Sequence, residues 1–131
     1  MPIIILVLQG DKSGDKNIYW CFCPNANLYI ENKLPDIDLF LSNNLNITLG
    51  TDSLASNDKL CILSELKTIK AHFPHIPFEQ TLHWATLGGA ELLGIDKRFG
   101  SIEKGKLPGL NLISGMNGTE LTAESELNKL A

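Results

Sequence analysis

The sequence predicts an α/β fold, on three observations. Short apolar runs without helical spacing, Ile3 to Leu8, Asn17 to Cys23 and Ile47 to Gly50, are typical of strands buried on both faces. Apolar residues recur at helical spacing in Asp36 to Asn44 and in Leu60 to Phe73. From the second run onward the order is strand, loop, helix, strand, which indicates a parallel β-α-β unit.

The second strand has two distinct faces. Alternation places Cys21 and Cys23 on one face with Tyr19, and Trp20 and Phe22 on the other. A Cys-x-Cys pair can bind a metal, although without a second such pair it is more often small buried packing.

The positions of proline and glycine predict where the remaining elements begin and end. Pro24 ends the second strand, and Asn25 to Ile30 is expected to be a loop. The helix predicted from Leu60 carries Glu65 on its polar face. Pro77 can open a further helix that reaches residue 93.

The C-terminal part is less regular. Gly88 and Gly89 weaken the helix that contains them, so close packing or a change of shape is expected there. Leu110 to Ile113 is predicted as a brief strand. The polar tail from Ser114 is expected to be partly disordered or a small terminal helix.

Composition excludes several function classes. The 131 residues suit one domain, and a net charge of −4 without a basic cluster argues against nucleic-acid or anionic-membrane surfaces. The run Ile3 to Leu8 is too short to span a membrane. Three cysteines without disulfide-framework spacing and no export signal indicate a cytoplasmic protein.

Candidate chemistry centres on Asp52, which follows the strand Ile47 to Gly50. Parallel α/β folds keep their functional groups at the C-terminal ends of strands. The other interpretation is that Asp52 accepts hydrogen bonds from loop amides or caps the next helix. His72, His75 and His83 lie near a helix junction and lack convergent partners at ligand spacing, so metal binding by them is not expected.

Four segments carry motifs in a fixed order. They are residues 23–28 (Cys-Pro-Asn-Ala-Asn-Leu), 49–57 (Leu-Gly-Thr-Asp-Ser-Leu-Ala-Ser-Asn), 85–94 (Ala-Thr-Leu-Gly-Gly-Ala-Glu-Leu-Leu-Gly) and 100–106 (Gly-Ser-Ile-Glu-Lys-Gly-Lys). In these segments the chain resembles the C-terminal third of the metal-dependent amidohydrolases. The branch of that family that the chain resembles contains guanine, cytosine and adenosylhomocysteine deaminases and chlorohydrolases.

This resemblance implies a partial TIM barrel with a short β segment from a C-terminal sandwich. The chain would be a single truncated domain, 1–131. Residues 1–16 would be a divergent N-terminal strand and turn, 17–94 the last β/α units of the barrel, and 95–131 a sandwich remnant and tail.

The resemblance also implies a site. It makes Asp52 a ligand of a divalent metal, zinc or iron, and the acceptor of the proton from metal-bound water. Asn27, Ser53 and Asn57 match positions that support the substrate pocket. The implied reaction is hydrolysis of a non-peptide C–N bond, as in a deaminase.

The sequence departs from the family in its metal ligands. It has no His-x-His and no histidine before His72, whereas a catalytic zinc has about three protein ligands. A closed barrel takes about 250 residues. The implied divalent metal is therefore not expected to be bound by this chain alone, and the chain is expected to be inactive by itself. The alternatives are a subunit that complements a separate N-terminal chain, and a non-catalytic scaffold that self-associates as a homo-oligomer.

The N-terminus departs as well. Only about eight turn-like residues separate Leu8 from Asn17, and a parallel crossover needs about a dozen or more. We therefore expect Ile3 to Leu8 to pair antiparallel with Ile18 to Phe22 as a hairpin, or to be a segment foreign to the family.

Overall fold

The computed structural model describes residues 4–10 and 16–131, with side chains from Ile18 onward. The described residues form a mixed α/β structure with a three-stranded sheet, in the order β1-β2-β3, and a two-stranded sheet, β4-β5. The elements are β1 (Ile4–Gly10), β2 (Lys16–Phe22), α1 (Pro24–Glu31), α2 (Ile37–Ser42), β3 (Asn46–Leu49), α3 (Ile62–His72), α4 (Phe78–Ala85), α5 (Leu87–Leu92), β4 (Asn111–Ser114) and β5 (Glu126–Lys129).

The three-stranded sheet combines both strand directions. β1 pairs antiparallel with β2 from Ile4–Phe22 to Gly10–Lys16, so the expected hairpin is confirmed. β2 pairs parallel with β3, with Trp20 opposite Ile47, which confirms the β-α-β unit. The turn expected within residues 9–16 lies mostly outside the described residues, as does Ile3.

The loop expected after Pro24 is instead helix α1, so that prediction is wrong. Proline at the start of a helix has a favourable φ and needs no donor, and the Asn27 N–H donates to Cys23 O at 2.9 Å. Asn32 ends the helix with φ 47°, a left-handed conformation that asparagine tolerates. Of the asparagines that suggested a loop, Asn27 is buried, and Asn25 is half-buried and bonds to Ser64 and Glu65 of α3.

The core lies between the three-stranded sheet and the helices that follow it. Trp20 and Phe22 both meet the edge of Phe40, with ring centroids 5.1 and 4.9 Å away, so the predicted shared face of these two aromatics is confirmed. Ile69 of α3 and Trp84 of α4 pack into the same cluster. Their burial fixes α3 and α4 against the sheet.

The helix expected from Pro77 to residue 93 is two helices, α4 and α5. The break falls at Thr86, with φ −129° and ψ −89°, before the glycines. Close packing at Gly88 is confirmed, because a methyl group there would lie 3.2 Å from the carbonyl oxygens of Ile47 and His83.

The C-terminal tail is also ordered differently from the expectation. β4 confirms the brief strand, and β5 pairs with it antiparallel from Asn111–Lys129 to Ser114–Glu126, where disorder or a helix was expected. Leu121 is buried in the core, and Lys67 Nζ donates to Ala123 O at 2.7 Å. No helix in the described part of the chain is long and apolar enough to cross a membrane.

Candidate functional site at the strand ends

The C-terminal ends of β2 and β3 lie side by side. Phe22 is opposite Leu49 in the parallel register, and the Gly50 N–H donates to Phe22 O at 2.9 Å. Helix α1, which begins directly after Cys23, and the loop from Gly50 to Asn57 therefore leave the same edge of the sheet together. This edge is where parallel α/β folds place their functional groups.

Asp52 lies exposed just past the end of β3. Its φ is 56°, the left-handed region that few non-glycine residues other than aspartate and asparagine adopt. Its Oδ2 accepts a hydrogen bond from the buried Ser56 Oγ at 2.8 Å. Asp52 does not cap the next helix, because the N-cap of α3 is Cys61. The loop thus holds the carboxylate outward at the edge of the sheet.

The three pocket-support candidates lie in different environments. Asn27 is fully buried within α1, and Ser53 is exposed, its Oγ accepting from the Ala55 N–H at 3.3 Å. Asn57 is buried, and its Nδ2 donates to Thr51 O at 2.8 Å, one residue before Asp52. The structure therefore links Asn57 directly to the backbone of the Asp52 loop.

Glu65 joins helix α1 to the loop after β3, a contact that the sequence did not predict. It is 0% exposed, and its Oε2 accepts from the Asn25 N–H at 2.8 Å while its Oε1 accepts from Asn57 Nδ2 at 2.7 Å. The prediction that Glu65 lies on a solvated face is therefore wrong. The signal was present, because Glu65 lies four residues before the buried Ile69 and thus on the same side of α3.

Neighbouring polar groups complete this network. Thr68 Oγ1 donates to Asn25 Oδ1 at 2.5 Å, and Asn25 Nδ2 donates to Ser64 Oγ at 3.2 Å. A cleft of about 460 Å³ opens beside the network, and Asn25, Asn57 and Ser64 contribute to its wall. Every polar contact ties the strand-end loops to α3.

Burial raises the pKa of Glu65, and the hydrogen bonds from Asn25 and Asn57 act in the opposite direction. Two N–H donors that face the two carboxylate oxygens compensate part of the desolvation of the ionised form. The buried Glu65 side chain therefore acts mainly as a hydrogen-bond acceptor for Asn25 and Asn57.

The histidines lie apart from this edge. His72 Nδ1 contacts Thr68 O at 2.9 Å, His75 Nε2 contacts Asp38 Oδ1 at 2.7 Å, and His83 is exposed on α4. Within residues 4–10 and 16–131, no three His, Cys, Asp or Glu side chains are placed to share a metal ion. The described residues therefore do not fit a complete catalytic metal site, for which Asp52 is one possible ligand.

Comparison with known proteins adds the chain's relationships. A model of the "Amidohydrolase family" matches residues 8–130. The chain is 31% identical over 107 residues to the 5-methylthioadenosine/S-adenosylhomocysteine deaminase of Moorella thermoacetica, a match that covers 76% of this chain and 25% of that protein. It is 32% identical over 107 residues to the 5′-deoxyadenosine deaminase of Methanococcus vannielii, with coverage of 76% and 25%.

Two solved structures are similar as well. An adenosine deaminase from Xanthomonas campestris with bound zinc is 35% identical, with a TM-score of 0.58, and the match covers 67% of this chain and 22% of that one. Guanine deaminase from E. coli is 27% identical, with a TM-score of 0.57 and coverage of 66% and 21%. The chain spans about a quarter of the length of the curated relatives it matches.

Proposed function

The chain belongs to the amidohydrolase family, and from this premise we propose that it is a deaminase-like portion of a metal-dependent hydrolase that acts at non-peptide C–N bonds. We further propose that it is catalytically inert alone. The observation that carries the proposal is the strand-end carboxylate of Asp52, held outward without two further ligands among the described residues. A catalytic zinc needs about three.

The proposed roles follow the contacts at this edge. Asp52 is the one ligand that this chain contributes to a divalent metal site. Asn27, Ser53 and Asn57 support the substrate pocket, and of these Asn57 is anchored most directly, to Thr51 O and to Glu65. Binding of zinc to the structurally similar adenosine deaminase supports the choice of a divalent metal for the complete site.

The proposed architecture is a partial barrel. The parallel pair β2 and β3, with α1, α2 and α3, corresponds to last barrel units within residues 17–94, and the β4-β5 pair to a sandwich remnant within 95–131. Residues 1–16 contribute the strand β1, which is the part that departs from a barrel.

The position of β1 supports inertness. In a (β/α)₈ barrel every strand has two parallel neighbours. β2 has the parallel neighbour β3 on one side and the antiparallel β1 on the other, paired over seven residues. A preceding barrel strand with its ligands would have to replace β1 before a closed barrel could form around Asp52.

The test uses the purified chain with added zinc, iron or manganese, and measures ammonia release from adenosine, 5′-deoxyadenosine and guanine together with bound metal after gel filtration. We expect no turnover and less than stoichiometric metal. Asp58 is an exposed carboxylate further along the same loop and provides the matched control. Turnover that Asp52→Ala abolishes and Asp58→Ala keeps would show that the chain is an enzyme by itself.

The second candidate is a subunit that complements another chain, and the lone strand-end carboxylate of Asp52 favours it, because two further ligands are lacking among the described residues and another chain would have to supply them. Here a chain that carries a His-x-His strand is co-expressed and the complex is purified. One metal ion per complex, lost in Asp52→Ala, would support complementation. Absence of a stable complex and of bound metal would eliminate it.

A further inference from the structure

Cys21 and Cys23 form a thiol pair that the proposed function does not use. Cys21 lies in β2 and Cys23 is the N-cap of α1 directly after that strand, and both sulfur atoms lie close to Gly50 at the end of β3. A methyl group at Gly50 would lie 2.9 Å from Cys21 Sγ and 3.2 Å from Cys23 Sγ. The glycine therefore leaves open the space on which the two thiols converge.

The surroundings of the pair suit a cation. The Cys23 thiol donates a hydrogen bond to Cys21, which lowers the pKa of Cys21 against the effect of its burial. Asp52 lies near the Cys23 thiol, and its carboxylate adds negative potential there. Cys23 is 1% exposed, whereas Cys21 and Gly50 are only half-buried, so an ion can reach the pair from the Cys21 side.

Both cysteines are free thiols in the structure. Two sulfurs that lie close to the same point beside Gly50 can hold an ion between them.

The number of available protein ligands determines which ion the cysteine pair can bind. No third His, Cys, Asp or Glu side chain within the described ranges joins the two cysteines in a metal-binding group, so tetrahedral zinc lacks donors. Soft thiolate ligands select Cu(I), which accepts two sulfurs in a nearly linear arrangement. We propose that Cys21 and Cys23 chelate one soft monovalent cation of the Cu(I) type. Each thiol releases its proton to solvent as its sulfur bonds the ion.

The test is an anaerobic titration of the full chain with Cu(I) against a coloured competing chelator. We expect one equivalent bound to wild type. Cys21→Ser should weaken binding by about 100-fold or more, because it removes the intramolecular second contact. Cys21 carries the test because it is half-buried and its replacement leaves the core cysteine in place. Gly50→Ala, which places a methyl group between the sulfurs, should also weaken binding.

Cys61 is the matched control, since it is a free, half-buried cysteine at the N-cap of α3. Cys61→Ser should bind Cu(I) within about twofold of wild type. Loss of binding in Cys61→Ser, or unchanged binding in Cys21→Ser, would overturn the proposal. The result is independent of the proposed hydrolase site, because Asp52→Ala removes its proposed metal ligand but keeps both thiols.

Discussion

Among single residues, Glu65 has the largest structural consequence. Its two carboxylate oxygens accept from Asn25, in the first turn of α1, and from Asn57, in the loop after β3. The side chain thus connects two strand ends through α3. Loss of these contacts affects the edge on which Asp52 lies without touching Asp52 itself.

Glu65→Ala should destabilise the protein markedly. The substitution leaves the Asn25 N–H and Asn57 Nδ2 without their acceptor and opens a buried space. Each unsatisfied buried donor costs about 1–3 kcal/mol, so we expect the free energy of unfolding to fall by about 3 kcal/mol in urea titrations. Glu79→Ala, at an exposed position in the first turn of α4, should cost less than about 1 kcal/mol. Equal losses in the two variants would contradict the role of Glu65.

The raised pKa of Glu65 predicts a dependence on pH. A carboxyl whose pKa is higher in the folded state binds its proton more tightly there. Its contribution to stability is therefore fully present below the ordinary pKa of 4.5 and declines as pH rises through the raised value. The neutral side chain of Glu65→Gln lacks this decline.

The measurement is the free energy of unfolding of wild type and Glu65→Gln at a series of pH values from about 4 to 8. The difference between wild type and variant should move against wild type as pH rises. Parallel curves across this range would show that Glu65 has the same proton affinity in both states.

The residue scale also shows what sequence could not supply. The position of Asp52 at the end of a strand was predicted from the apolar run that precedes it and from Gly50, which ends that run. The burial of Glu65 was not predicted, although its spacing from Ile69 was a signal, because a charged side chain near Lys67 suggests a solvated face unless its partners Asn25 and Asn57 are known. Those partners lie 40 and 8 positions away in the chain.

At the scale of elements, α5 packs its backbone directly against the sheet. Gly88 lies where a methyl group would be 3.2 Å from Ile47 O and His83 O, whereas at Gly89 the nearest atom would be Thr48 Oγ1 at 3.5 Å. Two adjacent glycines in one helix therefore have different steric surroundings. Replacing each glycine by alanine therefore separates the cost of close backbone packing from the gain in helix propensity.

Gly88→Ala should destabilise by about 1–3 kcal/mol, because backbone atoms must move to admit the methyl group. Gly89→Ala should be neutral or stabilise by up to about 1 kcal/mol, because alanine favours helices and the contact is ordinary. Thermal unfolding of both variants checks this. A melting temperature for Gly88→Ala at or above that of Gly89→Ala would contradict the packing argument.

Sequence reasoning at this scale worked for strands and failed for short helices. The runs that became β1, β2 and β3 were predicted correctly because they are short, apolar and lack helical spacing. Helix α1 was read as a loop because its asparagines make contacts with α3 that no local pattern reveals. The end of α4 at Thr86 was assigned instead to the glycines beyond it.

At the scale of the whole molecule, an apolar groove of about 840 Å³ lies between α3, α4 and the C-terminal strands. Leu60, Leu110 and Leu127 contribute to it and are 58%, 36% and 46% exposed. Large exposed apolar patches favour association. On this ground we propose that the chain self-associates as a homo-oligomer through the groove.

Light scattering should therefore give a mass above the 14.4 kDa of one chain. Leu60→Glu should shift the protein toward monomer, because a charge in the groove opposes its burial. Leu93→Glu is the control, since Leu93 is 70% exposed and does not contribute to the groove. A monomer at all concentrations in wild type would refute self-association through this surface.

The antiparallel pairing of β1 with β2 limits how this fold could change. A point substitution can change a side chain, but it cannot reverse the direction of a strand. As long as β1 runs opposite to β2, no series of point substitutions in this chain recreates a ring of co-directional strands around Asp52. Re-threading β1 through a crossover connection would give β2 a second parallel neighbour, which is the first requirement for such a ring.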